Sequence, residues 1–310
     1  MTTPSPNLQG VFSPVLTPFS ADLRPDPDRF VKHCRWLLDQ DVGLAIFGTN
    51  SEAASLSLRE RIDLLEHLVA NGIAPDRLMP GTASCSLTES IEMTRAAVAA
   101  GCAGVLMLPP FYYKGVSDEG LYRSFATIID AVADARLKIY LYHIPPVSQV
   151  PISLALIERL LRNYPGAIAG VKDSSGDLDG MLTMIREFSG QGFSVFAGTE
   201  ALLLANRRAG GAGCITATGN VNPTAIMRLY REWQGPDADL QQQALIQSRG
   251  AFAQFPMIPG MKAAIAWKSG RSDWLHVRPP LLDLDENQQQ ALQAALGAVG
   301  FDIPNAAQLA

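Results

Sequence analysis

Lysine is scarce in this chain: six residues in 310, none clustered with arginine into a basic face. With a formal net charge of −5, the phosphate neutralisation that general nucleic-acid binding demands has no visible source. Cysteine is scarcer still. Cys34, Cys85, Cys102 and Cys214 lie far apart and form no CxxC pair, which excludes a zinc ribbon and a disulfide framework and reads as reduced core thiols. No segment offers about 18 uncharged apolar residues in a row, and the opening MTTPSPNLQG lacks a basic region followed by an apolar core. Neither a membrane span nor a secretory leader is expected; a soluble cytoplasmic protein with a small-molecule partner is. No GxGxxG opens a helix after the first strand-like run, which argues against a dinucleotide cofactor. Histidines 33, 67 and 276 fall away from strand ends, leaving His143 alone near one, so no metal site is expected.

What is present is material for a compact interior, with 47% apolar and 18% charged residues. Short apolar or β-branched runs ending in Gly, Pro, Asn, Ser or Thr recur at 11–19, 43–50, 77–84, 104–111, 138–146, 168–175, 193–200 and 213–220. Between them lie amphipathic segments of helical length, such as DRFVKHCRWLLDQ at 28–40 and LRERIDLLEHLVANG at 58–72. Strands joined by helical crossovers run parallel, and eight of them at roughly 25–35-residue spacing predict a (β/α)₈ barrel rather than an open sheet. The barrel is expected over 10–234, after a tail at 1–9. Helical patterns at 240–254, 260–270 and 286–300 predict a C-terminal helical extension over 235–310.

In such a barrel the C-terminal strand ends carry chemistry and the opposite rim carries stability. Lys172, in AIAGVKDSSGD, is the one lysine that ends a strand; Lys138 begins one, Lys114 lies in a loop, and Lys32, Lys262 and Lys268 sit in helical segments. Two readings compete for it: an ion pair with a strand-end carboxylate such as Asp173 or Glu200, or a nucleophile. An amine among apolar walls is costly to charge, so its free base becomes available to attack a carbonyl. The resulting imine withdraws electrons from the neighbouring carbon and lets a C–C bond break or form with no cofactor. A proton shuttle must then lie close by. Tyr140 and Tyr142, in YLYHIPP, share a strand face, and Tyr142 lies nearer the catalytic end. At the second strand's end, FGTNSEAASLS sets hydroxyl, amide, hydroxyl and carboxylate in a row. There, backbone N–H groups with Thr49 and Asn50 can hold a substrate carboxylate, or the same residues can cap the next helix while Glu52 braces the barrel.

The segments GTNSEAASLS, PPFYYKGVSDEGLYRSF, YHIPP, GVKDSSGD and GGAGCITATGNVNP, in this order, resemble the dihydrodipicolinate synthase / N-acetylneuraminate lyase family of Schiff-base aldolases and lyases. The resemblance runs from about Gly10 to the C-terminal helices. It implies that Lys172 forms the imine with pyruvate or a related 2-oxo acid, that Tyr142 shuttles protons, and that Thr49 belongs to the tyrosine relay. It places Asn50, Ser51 and nearby backbone at the substrate carboxylate, Ser174 at a substrate-contacting hydroxyl position, and the Ile215 carbonyl against the oxo acid. A tyrosine that crosses a subunit interface corresponds to Tyr112 or Tyr113, with Tyr113 favoured by its spacing to DEG. The usual assembly implied is a homotetramer, a dimer of dimers.

Departures from the family pattern bear on substrate. Five residues beyond the shuttle tyrosine, where true dihydrodipicolinate synthases carry an arginine for the incoming aldehyde's carboxylate, this chain has Val147. Without that charge-assisted partner, 4-hydroxy-tetrahydrodipicolinate synthase becomes the alternative, behind aldol or dehydration chemistry on substrates such as 4-hydroxy-2-oxoglutarate or a 2-oxo-3-deoxy sugar acid. A barrel that binds a 2-oxo acid without turnover is the reading from another class. Ser51 stands where Gly is usual and must accommodate the turn; His143 replaces a common Asn and, one residue on from Tyr142, faces the other side of its strand.

Overall fold

The computed structural model describes residues 8–310, so the expected tail lies outside the described residues apart from Leu8 and Gln9. Seven parallel strands form one curled sheet: β1 Gly10–Ser13, β2 Gly43–Leu44, β3 Val105–Met107, β4 Ile139–His143, β5 Ile168–Asp173, β6 Ser194–Ala197 and β7 Gly213–Ile215. Their order around the sheet, β2-β1-β7-β6-β5-β4-β3, places the first and last strands side by side. The gap between β2 and β3 is closed by the stretch 78–82, the remaining one of the eight expected strands. Met79 and Gly81 donate their N–H groups to Leu44 and Ile46, while Ala103 and Leu106 donate to Leu78 and Pro80. Bridges tie Leu78 to Leu44 and Gly81 to Leu106. Pro80 has no N–H to give, so this wall is joined by isolated bridges rather than a full ladder. The architecture is an α/β barrel.

Helices α1 Pro27–Leu38, α2 Leu58–Ala70, α3 Leu87–Ala99, α4 Asp118–Val132, α5 Pro145–Ser148, α6 Leu154–Asn163, α7 Leu178–Phe188, α8 Leu203–Arg208 and α9 Pro223–Glu232 follow the strands in turn. Their starts are written in the sequence: Asp26, Ser57, Ser86, Ser117, Ser153 and Asp177 each accept a backbone N–H of the first helical turn. Three more helices, α10 Ala238–Phe252, α11 Met257–Ser269 and α12 Glu286–Ala298, come after α9, and α10 packs on α8 and α9. None of the described helices is long and apolar enough to cross a membrane.

Alternation along the strands divides the apolar residues into two clusters. The larger fills the shell between strands and helices. The smaller, with Phe12, Met79, Leu106, Tyr140, Tyr142, Phe196 and Ile215, fills the barrel itself. Its lower layer is aromatic: the Phe196 ring meets Phe12 and Tyr140 edge-on at centroid distances of 5.7 and 5.9 Å. Gly170 makes room for this layer, because a Cβ there would fall on the Ser194 carbonyl oxygen and 2.8 Å from the Tyr140 ring. The Tyr140 hydroxyl points away from the strand ends that carry Tyr142 and accepts the N–H of Leu8 at 2.8 Å.

Candidate active site

Neighbouring parallel strands β4 and β5 are in register at their C-terminal ends, with Tyr142 opposite Lys172 and His143 opposite Asp173. Period-two alternation therefore sends the first pair into the barrel and the second pair outward. Lys172 and Tyr142 are each 2% exposed, and the Lys172 amine stands 4.1 Å from the centroid of the Tyr142 ring. No carboxylate among the described residues lies within ion-pair distance of Lys172. The two strand-end carboxylates nearest to it in sequence pattern, Asp173 and Glu200, are engaged elsewhere. Asp173 faces outward and accepts the Ser175 N–H at 3.0 Å. Glu200, 1% exposed, accepts the Thr216 and Thr218 hydroxyls and pairs with Arg249 at 3.1 Å.

Burial alone would raise the Tyr142 phenol. The Lys172 charge beside it, with smaller contributions from the Thr49, Lys172 and Ser174 side chains, outweighs burial and sets it below the ordinary tyrosine value. Thr49 Oγ1 lies 3.4 Å from the Tyr142 hydroxyl. Ser174 follows β5 directly, and Gly198, at the end of β6, leaves space for it: a Cβ on Gly198 would collide with the Ser174 hydroxyl. Ile215 closes the cluster from β7, fully buried.

Thr49–Ser51 forms a single 3₁₀ turn after β2. Thr49 is exposed, Asn50 half-buried and Ser51 fully buried. The Ser51 hydroxyl accepts the Gly48 N–H at 3.2 Å, and its carbonyl accepts the Thr17 hydroxyl at 2.7 Å. The turn's left-handed residue is not Ser51 but Glu52, at φ 56°, so the serine adopts its place without the backbone cost that a Gly would have avoided.

Tyr112 and Tyr113 follow β3 in a loop that the chain does not fold over its own site. They are 76% and 56% exposed and meet each other edge-on at 5.8 Å. Within one chain, neither phenol is hydrogen-bonded to Tyr142 among the described residues. Val147, in α5, is 63% exposed.

His143 belongs to the scaffold behind the site. Its Nδ1 accepts the Ile152 N–H at 3.0 Å, fastening the segment after α5 to the end of β4. Burial lowers the imidazole below its usual value and raises Asp173 above the usual carboxylate range. A second scaffold group is Lys262, expected in a helix but without a partner: in α11 and fully buried, it donates to Glu52 Oε1 at 2.6 Å. Glu52 was legible as a brace, but not its partner 210 positions away. One signal was available, in that Lys262 interrupts an otherwise apolar helical run, MKAAIAW.

The sequence profile of the dihydrodipicolinate synthetase family matches residues 7–299. The chain is 34% identical to an uncharacterized DapA-like lyase of Chloroflexus aurantiacus, across 93% of this chain and 95% of that protein. It is similar in structure to dihydrodipicolinate synthase from Agrobacterium tumefaciens, with a TM-score of 0.87 and 28% identity over 94% of this chain and 99% of that one. It is also similar to YagE from E. coli K12, a prophage protein of the dihydrodipicolinic acid synthase family solved in complex with pyruvate. The TM-score is 0.85 and the identity 28%, over 94% and 99% of the two chains.

Proposed function

The chain belongs to the dihydrodipicolinate synthetase family and is an enzyme of its lyase class, and on that premise we propose that Lys172 forms a Schiff base with pyruvate or a related 2-oxo acid. One observation carries the assignment: a buried amine faces a phenol and, among the described residues, no carboxylate. A buried lysine is normally paired. An amine kept unpaired at the catalytic end of a barrel is available as a nucleophile.

The neutral Lys172 amine attacks the C2 carbonyl of the oxo acid, and the Tyr142 phenol gives up its proton as water leaves, so that a protonated imine stands beside a phenolate. With a 4-hydroxy-2-oxo acid bound, Tyr142 as phenolate takes the C4 hydroxyl proton and the C3–C4 bond breaks. Its electron pair moves into the imine to give an enamine, and an aldehyde departs. Tyr142 passes the proton it has taken to C3 of the enamine, and hydrolysis of the imine releases pyruvate and the free lysine. The depressed Tyr142 phenol suits both halves of this cycle, and the Thr49 hydroxyl beside it extends the proton path. Asn50, Ser51 and the N–H groups of their turn are assigned to the substrate carboxylate, Ser174 to a substrate hydroxyl, and the Ile215 carbonyl to the bound oxo acid.

Val147 at the rim supplies no cation for a distal carboxylate, which favours 2-oxo-3-deoxy sugar acids, whose tails carry hydroxyls, over the condensation performed by a 4-hydroxy-tetrahydrodipicolinate synthase; 4-hydroxy-2-oxoglutarate, with a second carboxylate, needs another partner for it. The exposed Tyr113 ring, with Tyr112 beside it, is suited to complete the relay of a second copy, in a homotetramer built as a dimer of dimers. Intact mass after treatment with pyruvate and borohydride tests the chemistry. A stable adduct on wild type that Lys172→Ala abolishes is expected; no adduct, or an equal adduct on the variant, overturns the assignment. Pyruvate release from a panel of hydroxylated 2-oxo acids then fixes the substrate, and light scattering the subunit number.

A further inference from the structure

Glu52 directly follows the Thr49–Ser51 turn, and it is held from the far end of the chain. Lys262 donates to Glu52 Oε1 at 2.6 Å and to the His276 carbonyl at 2.7 Å, and its amine stands 4.5 Å from the centroid of the Phe19 ring. The other Glu52 oxygen accepts the Arg278 N–H at 2.9 Å. The Arg278 guanidinium continues the contact, reaching the Ser55 carbonyl at 2.6 Å, the Leu23 carbonyl at 2.9 Å and Glu60 at 2.5 Å. Every oxygen of the Glu52 carboxylate is thus used by a group C-terminal to residue 260.

The backbone at Glu52 explains what this contact does. A non-glycine residue in the left-handed region is strained and persists where its surroundings enforce it. Here the Glu52 N–H closes the turn on the Thr49 carbonyl at 3.1 Å, and its own carbonyl receives the Ser55 N–H and hydroxyl at 2.9 and 2.8 Å. For stability alone, a buried ion pair does no better on average than apolar residues of the same volume. What it supplies is a fixed direction.

We propose that Lys262 is a positioning residue for the 2-oxo acid: by holding Glu52 in its left-handed conformation, it sets the aim of the Thr49–Ser51 turn toward the substrate carboxylate. This rests on the reading of that turn as the carboxylate holder. Displacements of about 1 Å in such groups cost up to about a hundredfold in function even when the change is remote from the chemistry.

Hydrogen exchange and imine trapping test it together, on Lys262→Met, Glu52→Gln and, as a stability control, Leu292→Ala in α12. In the first two variants, amides of residues 48–56 are expected to exchange about tenfold faster than in wild type while β4 and β5 stay protected. The pyruvate concentration for half-maximal borohydride trapping rises about tenfold with the maximal trapped fraction unchanged. Leu292→Ala lowers the melting temperature but leaves both readouts at wild-type values. If Lys262→Met fails to fold, Glu52→Gln, which keeps the shape and one oxygen, supplies the same two readouts. Unchanged local exchange, or unchanged half-saturation, in the folded variants overturns the proposal. A wild type that traps no oxo acid defeats the catalytic assignment instead, and the exchange measurement still decides whether Lys262 holds the turn.

Discussion

Lys172 and Lys262 are buried under nearly the same cover, 2% and 0% exposed, each with its amine over an aromatic ring at 4.1 and 4.5 Å. They differ in one partner. Lys262 has a carboxylate at 2.6 Å, and Lys172 has none among the described residues. Burial pushes Lys262 down to about 8, with Glu52 pulling the other way. The contrast teaches that depth alone does not mark a reactive lysine. What separates a nucleophile from a strut is whether the surroundings answer its charge with an anion or with a phenol able to exchange a proton.

The sharpest way to break this contrast is to remove each amine in turn. Lys172→Ala should lower turnover by about 10⁴-fold or more, and peptide mapping of the reduced wild-type adduct should find it on Lys172 and none on Lys262. Label on Lys262 would dissolve the distinction. On the strut side, Glu52→Leu leaves a buried cation unpaired, and denaturant unfolding should register a loss of about 3–5 kcal/mol. Adding Lys262→Met to that variant should recover most of it, because the pair is then replaced by apolar volume; a double variant as unstable as the single one would mean that the ion pair itself holds the fold.

Tyr142→Phe tests the partner rather than the amine. On the proposed mechanism turnover should fall by about 10²–10³-fold while the borohydride adduct on Lys172 still forms, since there the phenol moves protons and does not carry the bond. An unchanged rate would leave the phenol no more than a wall of the pocket.

The smallest effect concerns a third buried base. His33 is fully buried between Trp36 and Trp274, and burial pushes it down to about 4 despite hydrogen bonds that favour its charge. Its folded value lies below the unfolded one of about 6.5, so between those values the unfolded chain binds more protons and stability rises with pH. The contribution is whole above pH 6.5 and is lost as pH falls through about 4, amounting to about 3 kcal/mol between pH 7 and pH 4. Unfolding free energies at the two pH values should diverge by that amount for wild type and by less for His33→Leu. Equal slopes would show that His33 keeps its solution value.

How much of this was legible in the sequence follows from the distance over which each feature is set. The strand-helix alternation, the caps at Ser57, Ser117 and Asp177, and the placement of Lys172 and Tyr142 at strand ends are local facts, and period-two facing predicts that the two point the same way. The run at 77–84 was legible as a wall of the barrel, but its reduction to isolated bridges follows from Pro80 and from two neighbours that fix its length. Lys172's choice between an ion pair and solitude stayed open because it depends on Arg249 and two threonines occupying Glu200. Lys262 could not be matched to Glu52 at all, since nothing short of the folded chain brings α11 to the turn after β2.

The register of β4 and β5 has a consequence for how this protein can change over generations. Since Tyr142 and Lys172 alternate with His143 and Asp173, losing one residue upstream in β5 would point an acid into the cavity and bury the amine among helices. Substitutions there can be graded, but insertions and deletions cannot. Variation in chain length should therefore be confined to the connections on either side, where a loop can absorb it without turning the strand over.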